Sequence, residues 1–173
     1  MAIEDVVRAA SDFVRDHRHL AEPMVFALGF AESIPFLSWL VPSSGIFLAI
    51  GGLMGANGAA FWPLCLAAAL GASLGDILCY ILGRWLKQDI ARIWPLSRYA
   101  DALPRAEAFF ARWGMVGIVL GKFLGPMRPF LPLVAGAAGM SHFQFVLASA
   151  LSSLLWAAAF LGPAHYGARV LLD

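Results

Sequence analysis

Charge is what this sequence has least of. Only 13% of its 173 residues are Asp, Glu, Lys or Arg, whereas 61% are hydrophobic. An ordinary soluble domain carries about 25% charged and about 45–50% apolar residues. A soluble core of this size has no room for such a surplus, so the composition points to an integral membrane protein. The charge present shows no bias. A net charge of +1 argues against nucleic-acid binding, which needs a basic patch or stripe. Cysteine is scarce as well. Cys65 and Cys79 lie in apolar surroundings and match neither a metal-ligand spacing nor a disulfide framework, so they read as small core residues. No metal or cofactor is expected. A secretory signal peptide is also missing, because the first 20 residues intersperse Glu4, Asp5, Arg8, Asp12, Arg15 and Asp16 among the apolar positions. A signal peptide needs a continuous apolar stretch.

What is there begins with helical spacing. Ile3, Val6, Val7, Ala10, Phe13 and Val14 recur at helical intervals, which predicts an amphipathic helix over 1–22. It lies in the membrane interface plane or packs against the rest of the protein. Apolar segments then run over 23–59, 60–83, 113–141 and 142–163. A bilayer core of about 30 Å needs about 20 helical residues, so the second and fourth segments read as simple spans. The first is broken at Pro35 and over Pro42-Ser43-Ser44-Gly45, the third at Gly125, Pro126, Pro129 and Pro132. Proline removes a backbone donor and breaks a helix. Each of these segments is too long for one span and too short for two spans with a turn. Re-entrant hairpins fit the lengths; a pair of kinked ordinary spans is the alternative. Irregular backbone persists in a membrane only where protein or a wet cavity surrounds it.

Between the halves lies a polar connector, 84–112, with Arg84, Lys87, Arg92, Arg98, Arg105 and Arg112 against Asp89, Asp101 and Glu107. The positive-inside rule places it in the cytoplasm. The halves look related, because Leu66-Ala67-Ala68-Ala69-Leu70 recurs as Leu147-Ala148-Ser149-Ala150-Leu151, 81 positions later. One span between two hairpins makes them enter from opposite faces. The expected fold is therefore all-α and membrane-embedded, a single domain over 1–173 with two hairpins in an inverted repeat, a layout shared by many transporters.

Glu32, Asp76, Lys122 and Arg128 stand in apolar surroundings. A charge at the bilayer centre costs about 2.5–3.5 kcal/mol on insertion scales, so such residues face one another or water. Asp76 has either a functional role or a structural one, pairing with an arginine to fix helix packing, and Asp76 and Arg84 are taken as structural or coupling residues. His142, next to Ser141, is expected to cap or anchor the last helix.

Several strings resemble the DedA family of membrane proteins, also called the SNARE-associated or VTT-domain family. Gly71-Ala72-Ser73-Leu74-Gly75-Asp76, followed by Tyr80, Gly83 and Arg84, resembles its G-A-x-x-G-D-x-x-x-Y-x-x-G-R signature. Phe109-Phe110-Ala111-Arg112-Trp113-Gly114 is similar to its F-F-x-R-x-G. Gly121-Lys122-Phe123-Leu124-Gly125-Pro126-Met127-Arg128 resembles its G-R-F-x-P-x-x-R with one residue added. Ala135-Gly136, Gly139-Met140 and Phe143 continue the pattern, and Trp156 occupies a late tryptophan. The wording around Arg128-Pro129 is also similar to DedA domains fused to lipid-phosphate phosphatases.

The resemblance implies a multi-pass protein of the bacterial inner membrane with two opposed re-entrant hairpins. It implies movement of undecaprenyl phosphate or a phospholipid between leaflets, and links to the proton-motive force. It further implies that two acids of the first hairpin and two arginines of the second are functional. Glu32 falls at the first acid and Ser44 at the second; Lys122 replaces the first arginine, and Arg128 keeps the second. With one carboxylate lost, anion binding is expected to survive better than proton sensing. Lys122 and Arg128 would hold a lipid phosphate, with Glu32 as their counter-ion when the site is empty. A homo-oligomer is compatible with this reading. Two other readings stay open. One is a non-transporting envelope scaffold or accessory subunit. The other is a lipid-phosphate phosphatase, disfavoured because Lys122 and Arg128-Pro129 have the wrong spacing and His142 and His165 lack matching partners. No enzymatic activity is expected.

Overall fold

A computed structural model describes residues 18–35, 37–40, 43–87, 89, 102–123 and 128–172. Every element among them is helical. In chain order they are α1 (Arg18–Glu32), α2 (Leu37–Leu40), α3 (Ser43–Ala56), α4 (Phe61–Leu86), α5 (Ala102–Gly121), α6 (Phe130–Ala137) and α7 (His142–Leu172). Most of the expected N-terminal amphipathic helix lies outside the described residues, as does the middle of the polar connector. The last part of the connector is the start of α5, which kinks at Gly114 (φ 49°, ψ −126°).

Helices break where the sequence places proline and small polar residues. α1 ends before Ser33-Ile34-Pro35 and α3 starts after Pro42. α5 ends before Lys122, and α6 starts after Pro129. Two helices, Phe61–Leu86 and His142–Val170, are long and apolar enough to cross a membrane. Both overrun the spans expected from the sequence. α4 continues through Arg84 to Leu86, and α7 passes through Pro163 to Leu172. Both extensions are amphipathic in composition, so hydropathy alone ends each span early.

The two halves repeat in structure as well as in sequence. At the end of α3, Gly58 N–H donates to the Gly55 carbonyl and Ala59 N–H to Met54. At the end of α6, Gly139 N–H donates to Gly136 and Met140 N–H to Ala135. Each bond recurs 81 positions later, the offset of the Leu66 and Leu147 strings. The pattern is the Schellman C-cap, whose left-handed residue is best supplied by glycine. Gly58 (φ 67°) and Gly139 (φ 74°) supply it.

Packing follows the same repeat, with an exchange. α3, from the first half, lies on α7, the long helix of the second; α6 lies on α4, the long helix of the first. Bare backbone makes both contacts close. A Cβ at Gly55 would run into the His165 carbonyl, and one at Gly136 into the Tyr80 carbonyl. His165 and Leu161 lie 81 positions after Arg84 and Tyr80. Small residues at such crossings let helices approach closely, the usual packing device in lipid. α4 and α7 also pack on each other and tie the halves together.

The long helices are sided in the way lipid requires. Leu66, Leu70, Leu74 and Leu78 of α4 are exposed, as are Leu147, Leu151 and Leu155 of α7. The opposite faces bury small residues, including Ala68 and Ala72 on α4 and Ala148 and Ser152 on α7. A soluble amphipathic helix has the reverse arrangement, with large apolar residues inside.

Candidate functional site

Four charged side chains meet where the chain leaves α1 and α5 and enters α6, beside the two long helices. Glu32 is the last residue of α1. The chain there is pinned to α4, because Ser33 Oγ donates to the Ala72 carbonyl at 2.9 Å and Cys79 Sγ to the Ser33 carbonyl at 3.4 Å. Lys122 is the first residue after α5, its N–H still bonded to the Ile118 carbonyl. Arg128 lies just before α6, and its carbonyl accepts from Leu131 N–H. Asp76 projects from the middle of α4. Two of the four are acids, Glu32 and Asp76, and two are cations, Lys122 and Arg128. The four therefore form one electrically balanced group.

Within it are two ion pairs. Lys122 Nζ donates to Asp76 Oδ2 and to Ser153 Oγ. Ser149 Oγ donates to the same Asp76 oxygen at 2.8 Å. Both charged side chains are about 95% buried. A burial this deep is tolerable only when the charges are paired and hydrogen-bonded, and here α7 contributes two hydroxyls to that end.

The second pair is Arg128 Nη1 with Glu32 Oε1, at 2.5 Å. It is also buried, with side-chain exposures of 7% and 12%. One face of the guanidinium lies over the Trp156 ring, 4.0 Å from its centroid. Trp156 is held in place on its own edge by Phe47 of α3. Three atoms of this pair have no partner among the described residues: Glu32 Oε2, Arg128 Nε and Arg128 Nη2. Nε and Nη2 present the parallel N–H fork that guanidinium offers to carboxylate or phosphate.

The helix ends sharpen the contrast. A carboxylate at a helix C-terminus and a cation before an N-terminus both oppose the helix dipole. Glu32 and Arg128 hold those unfavourable positions, whereas Lys122 at the end of α5 holds a favourable one.

Three expectations change. Asp76 pairs with Lys122 and not with an arginine; Arg84, two turns further along α4, points to the α6–α7 turn. Its Nη1 donates to Tyr80 Oη at 3.2 Å and to the Met140 carbonyl at 3.3 Å, while Tyr80 Oη donates to Met140 at 2.5 Å. Arg84 thus closes the second Schellman turn and does not reach the charged group. Glu32 does not hold both cations, since Asp76 has taken Lys122. The group also does not lack a second carboxylate: Asp76 provides one, from a long helix instead of the hairpin. The side chain of Ser44, where the family's second acid falls, lies outside the described residues, as do residues 124–127.

Sequence reasoning missed Ser149 and Ser153. Their signal was legible, since hydroxyls inside a spanning helix need partners, and Ser149 stands where the first half has Ala68. His142 opens α7 with its ring against Tyr80 (5.3 Å). His165 is buried beside Phe61 and Tyr166, far along α7 from Ser149 and Ser153. Among the described residues no three His, Cys, Asp or Glu side chains are grouped to hold a metal ion.

A helical fold with two helices long and apolar enough to cross a membrane, and a buried group of paired charges between them, fits the class of membrane proteins. Comparison with known proteins gives its family. Residues 41–165 match the VTT domain, and the chain belongs to that family, DedA. It is 32% identical to inner membrane protein YghB of Salmonella typhimurium over 163 residues, 89% of this chain and 74% of that one. It is 29% identical to inner membrane protein YabI of Escherichia coli over 132 residues, 76% of this chain and 52% of that one. An uncharacterized membrane protein of Buchnera aphidicola is 27% identical over 140 residues, 81% of this chain and 55% of that one. The chain thus spans about half the length of the latter two relatives. No solved structure matches it.

Proposed function

We propose that this protein resides in a bacterial inner membrane and carries a lipid phosphate between leaflets, with Arg128 as the group that holds the phosphate. The observation that carries the reading is the unpartnered Nε/Nη2 fork of a guanidinium whose residue is only 7% exposed. A buried donor without an acceptor costs about 1–3 kcal/mol, more when charged. Two parallel ones on a single cation match the paired oxygens of a phosphate. Trp156 beneath the ring fixes the plane of that fork.

In this reading α1–α3 and α5–α6 are the two re-entrant hairpins, entering from opposite faces because α4 crosses once between them. The exchange of α3 onto α7 and α6 onto α4, and the repeated turns at Gly58 and Gly139, support that arrangement. The ligand is undecaprenyl phosphate or a phospholipid. Its headgroup sits between the hairpin breaks while its tail stays in lipid beside the exposed leucines. A phosphate crossing hydrocarbon unaided meets a very large desolvation cost; Arg128 offsets it. Glu32 is the resting partner of Arg128 and yields to the phosphate. The site is closed in the empty state, so the hairpin breaks must part to admit a headgroup. The activity is transport, with no bond made or broken in the lipid.

Reconstitution into liposomes tests this. Movement of a labelled lipid phosphate between leaflets is expected to require Arg128; unchanged movement in Arg128→Ala overturns the assignment.

A further inference from the structure

Each long helix carries a large exposed aromatic side chain near either end. On α4 these are Trp62, 60% exposed, and Trp85, 82% exposed; on α7 they are Phe143 at 76% and Tyr166 at 50%. Both pairs are 23 residues apart, and Phe143 and Tyr166 lie 81 positions after Trp62 and Trp85. The pattern therefore belongs to the repeat. The two helices run antiparallel, because the Phe61 ring meets the Tyr166 ring at 5.2 Å and the Tyr80 ring meets His142 at 5.3 Å. Trp62 and Tyr166 share one end of the bundle, and Trp85 and Phe143 share the other.

A helix rises about 1.5 Å per residue, so each pair spans about 35 Å. That height fits a hydrocarbon core of about 30 Å with aromatic rings at both interfaces. Charge keeps to the same limits. Of the described residues from Trp62 to Gly83 and from Phe143 to Tyr166, none that is exposed carries a charge, and Asp76 is buried. Exposed charges begin at Arg84 and Lys87 at the end of α4 and at Arg169 near the end of α7, where long side chains reach the headgroups. Phe143 lacks the polar edge of a tryptophan, but the exposed His142 and Gln144 flank it.

The ion pairs are tied by contact to the middle of this band. Halfway from Trp62 to Trp85 falls between Ser73 and Leu74, and Asp76 stands within about 4 Å of that level along the helix. Halfway from Phe143 to Tyr166 falls between Leu154 and Leu155, with Ser153 and Trp156 to either side. Lys122 is bonded to Asp76 and Ser153. Arg128 lies over Trp156 and is bonded to Glu32.

We infer that Trp62 with Tyr166, and Trp85 with Phe143, form two girdles that seat the protein in a bilayer with a hydrocarbon core of about 30 Å, placing both ion pairs at its midplane. The exposed leucines of α4 and α7 are the surface that meets the acyl chains. The charged group then has about 15 Å of hydrocarbon on either side, half of the core. This holds whatever ligand the group takes.

The test is spin labelling of the full chain in vesicles of dioleoyl phosphatidylcholine and dioleoyl phosphatidylglycerol. Single labels are placed at Leu66→Cys, Leu74→Cys and Leu82→Cys on α4, and at Leu147→Cys and Leu155→Cys on α7. Cys65 and Cys79 are buried, and the unsubstituted chain measures any labelling of them. Depth is read from collisions with oxygen, which concentrates in hydrocarbon, against those with a water-soluble nickel complex. Labels at Leu74 and Leu155 are expected to be deepest, with those at Leu66 and Leu82 about 12 Å shallower. The α7 labels decide the matter if the α4 variants do not fold. Replacing Trp62 and Tyr166 together by leucine is expected to let that end sink, moving the deepest level from Leu74 toward Leu66. A deepest label at Leu66 or Leu82 in the unaltered girdles overturns the proposal. So does a deepest level unmoved by the double replacement, nickel access along the whole leucine face, or broadening between labels of separate molecules, which would put a second copy on that face.

Discussion

The two ion pairs have the same net charge, similar burial and adjacent positions, but they are finished differently. Asp76–Lys122 is completed by Ser149 and Ser153, and its cation lies at the helix end that favours it. Glu32–Arg128 has three polar atoms without partners among the described residues and opposes the dipole at both of its helix ends. Charge inside a membrane is costly wherever it sits, so a pair left incomplete is there for something other than stability. In the proposed reading, the first pair ties the end of α5 to the long helices and the second receives the ligand.

The largest effect expected is on stability, and it bears on the completed pair. Lys122→Ala leaves the Asp76 carboxylate buried without a cation and is expected to cost about 3–5 kcal/mol, seen as a lower thermal midpoint in detergent. Replacing both partners by apolar residues, Asp76→Leu with Lys122→Met, is expected to recover most of that loss, because the desolvation penalty goes with the charges. If Glu32→Ala destabilises as much as Lys122→Ala, the two pairs are alike and the contrast fails.

Next comes transport. Arg128→Ala is expected to lower lipid-phosphate movement at least about thirtyfold, the equivalent of about 2 kcal/mol for truncating one partner of a buried charged contact. Arg128→Lys keeps the charge but loses the planar fork. It is expected to fall between the two, which sharpens the role of geometry over charge.

Smaller effects separate the site from the scaffold. Gly83→Ala places a Cβ against the Leu133 carbonyl, backbone on which no side chain can yield. It is expected to cost about 1–3 kcal/mol, as overpacking does, with phosphate affinity per folded molecule unchanged. Smallest are Gly58→Ala and Gly139→Ala, which put a Cβ at left-handed φ and are each expected to cost about 1 kcal/mol. Equal costs at the two positions would mark the repeat as energetic as well as geometric.

Much of this was legible in the sequence, and unevenly. Pro35, Pro42, Pro126 and Pro129 announce the breaks, because proline acts locally. The repeat was visible in the Leu66 and Leu147 strings, and its offset of 81 carries through to hydrogen bonds and lipid-facing leucines. Glu32 and Arg128 were recognisable as charges that need a reason. Their pairing with each other, and that of Asp76 with Lys122, were not. Both depend on how helices from different halves cross, over separations of 96 and 46 residues. The nearest arginine in sequence to Asp76 is Arg84, but helical geometry carries Arg84 two turns away towards Met140. Ser149 and Ser153 were legible as hydroxyls inside a spanning helix that need partners, but not as partners of Asp76 and Lys122, which only the crossing of the helices shows.

The most direct measurement is the position of a bound headgroup, by cryo-electron microscopy of the protein saturated with a lipid phosphate. The account predicts phosphate oxygens accepting from Arg128 Nε and Nη2 over the Trp156 ring, with Glu32 displaced. A headgroup bound elsewhere, with the fork still empty and Arg128 still on Glu32, would contradict it.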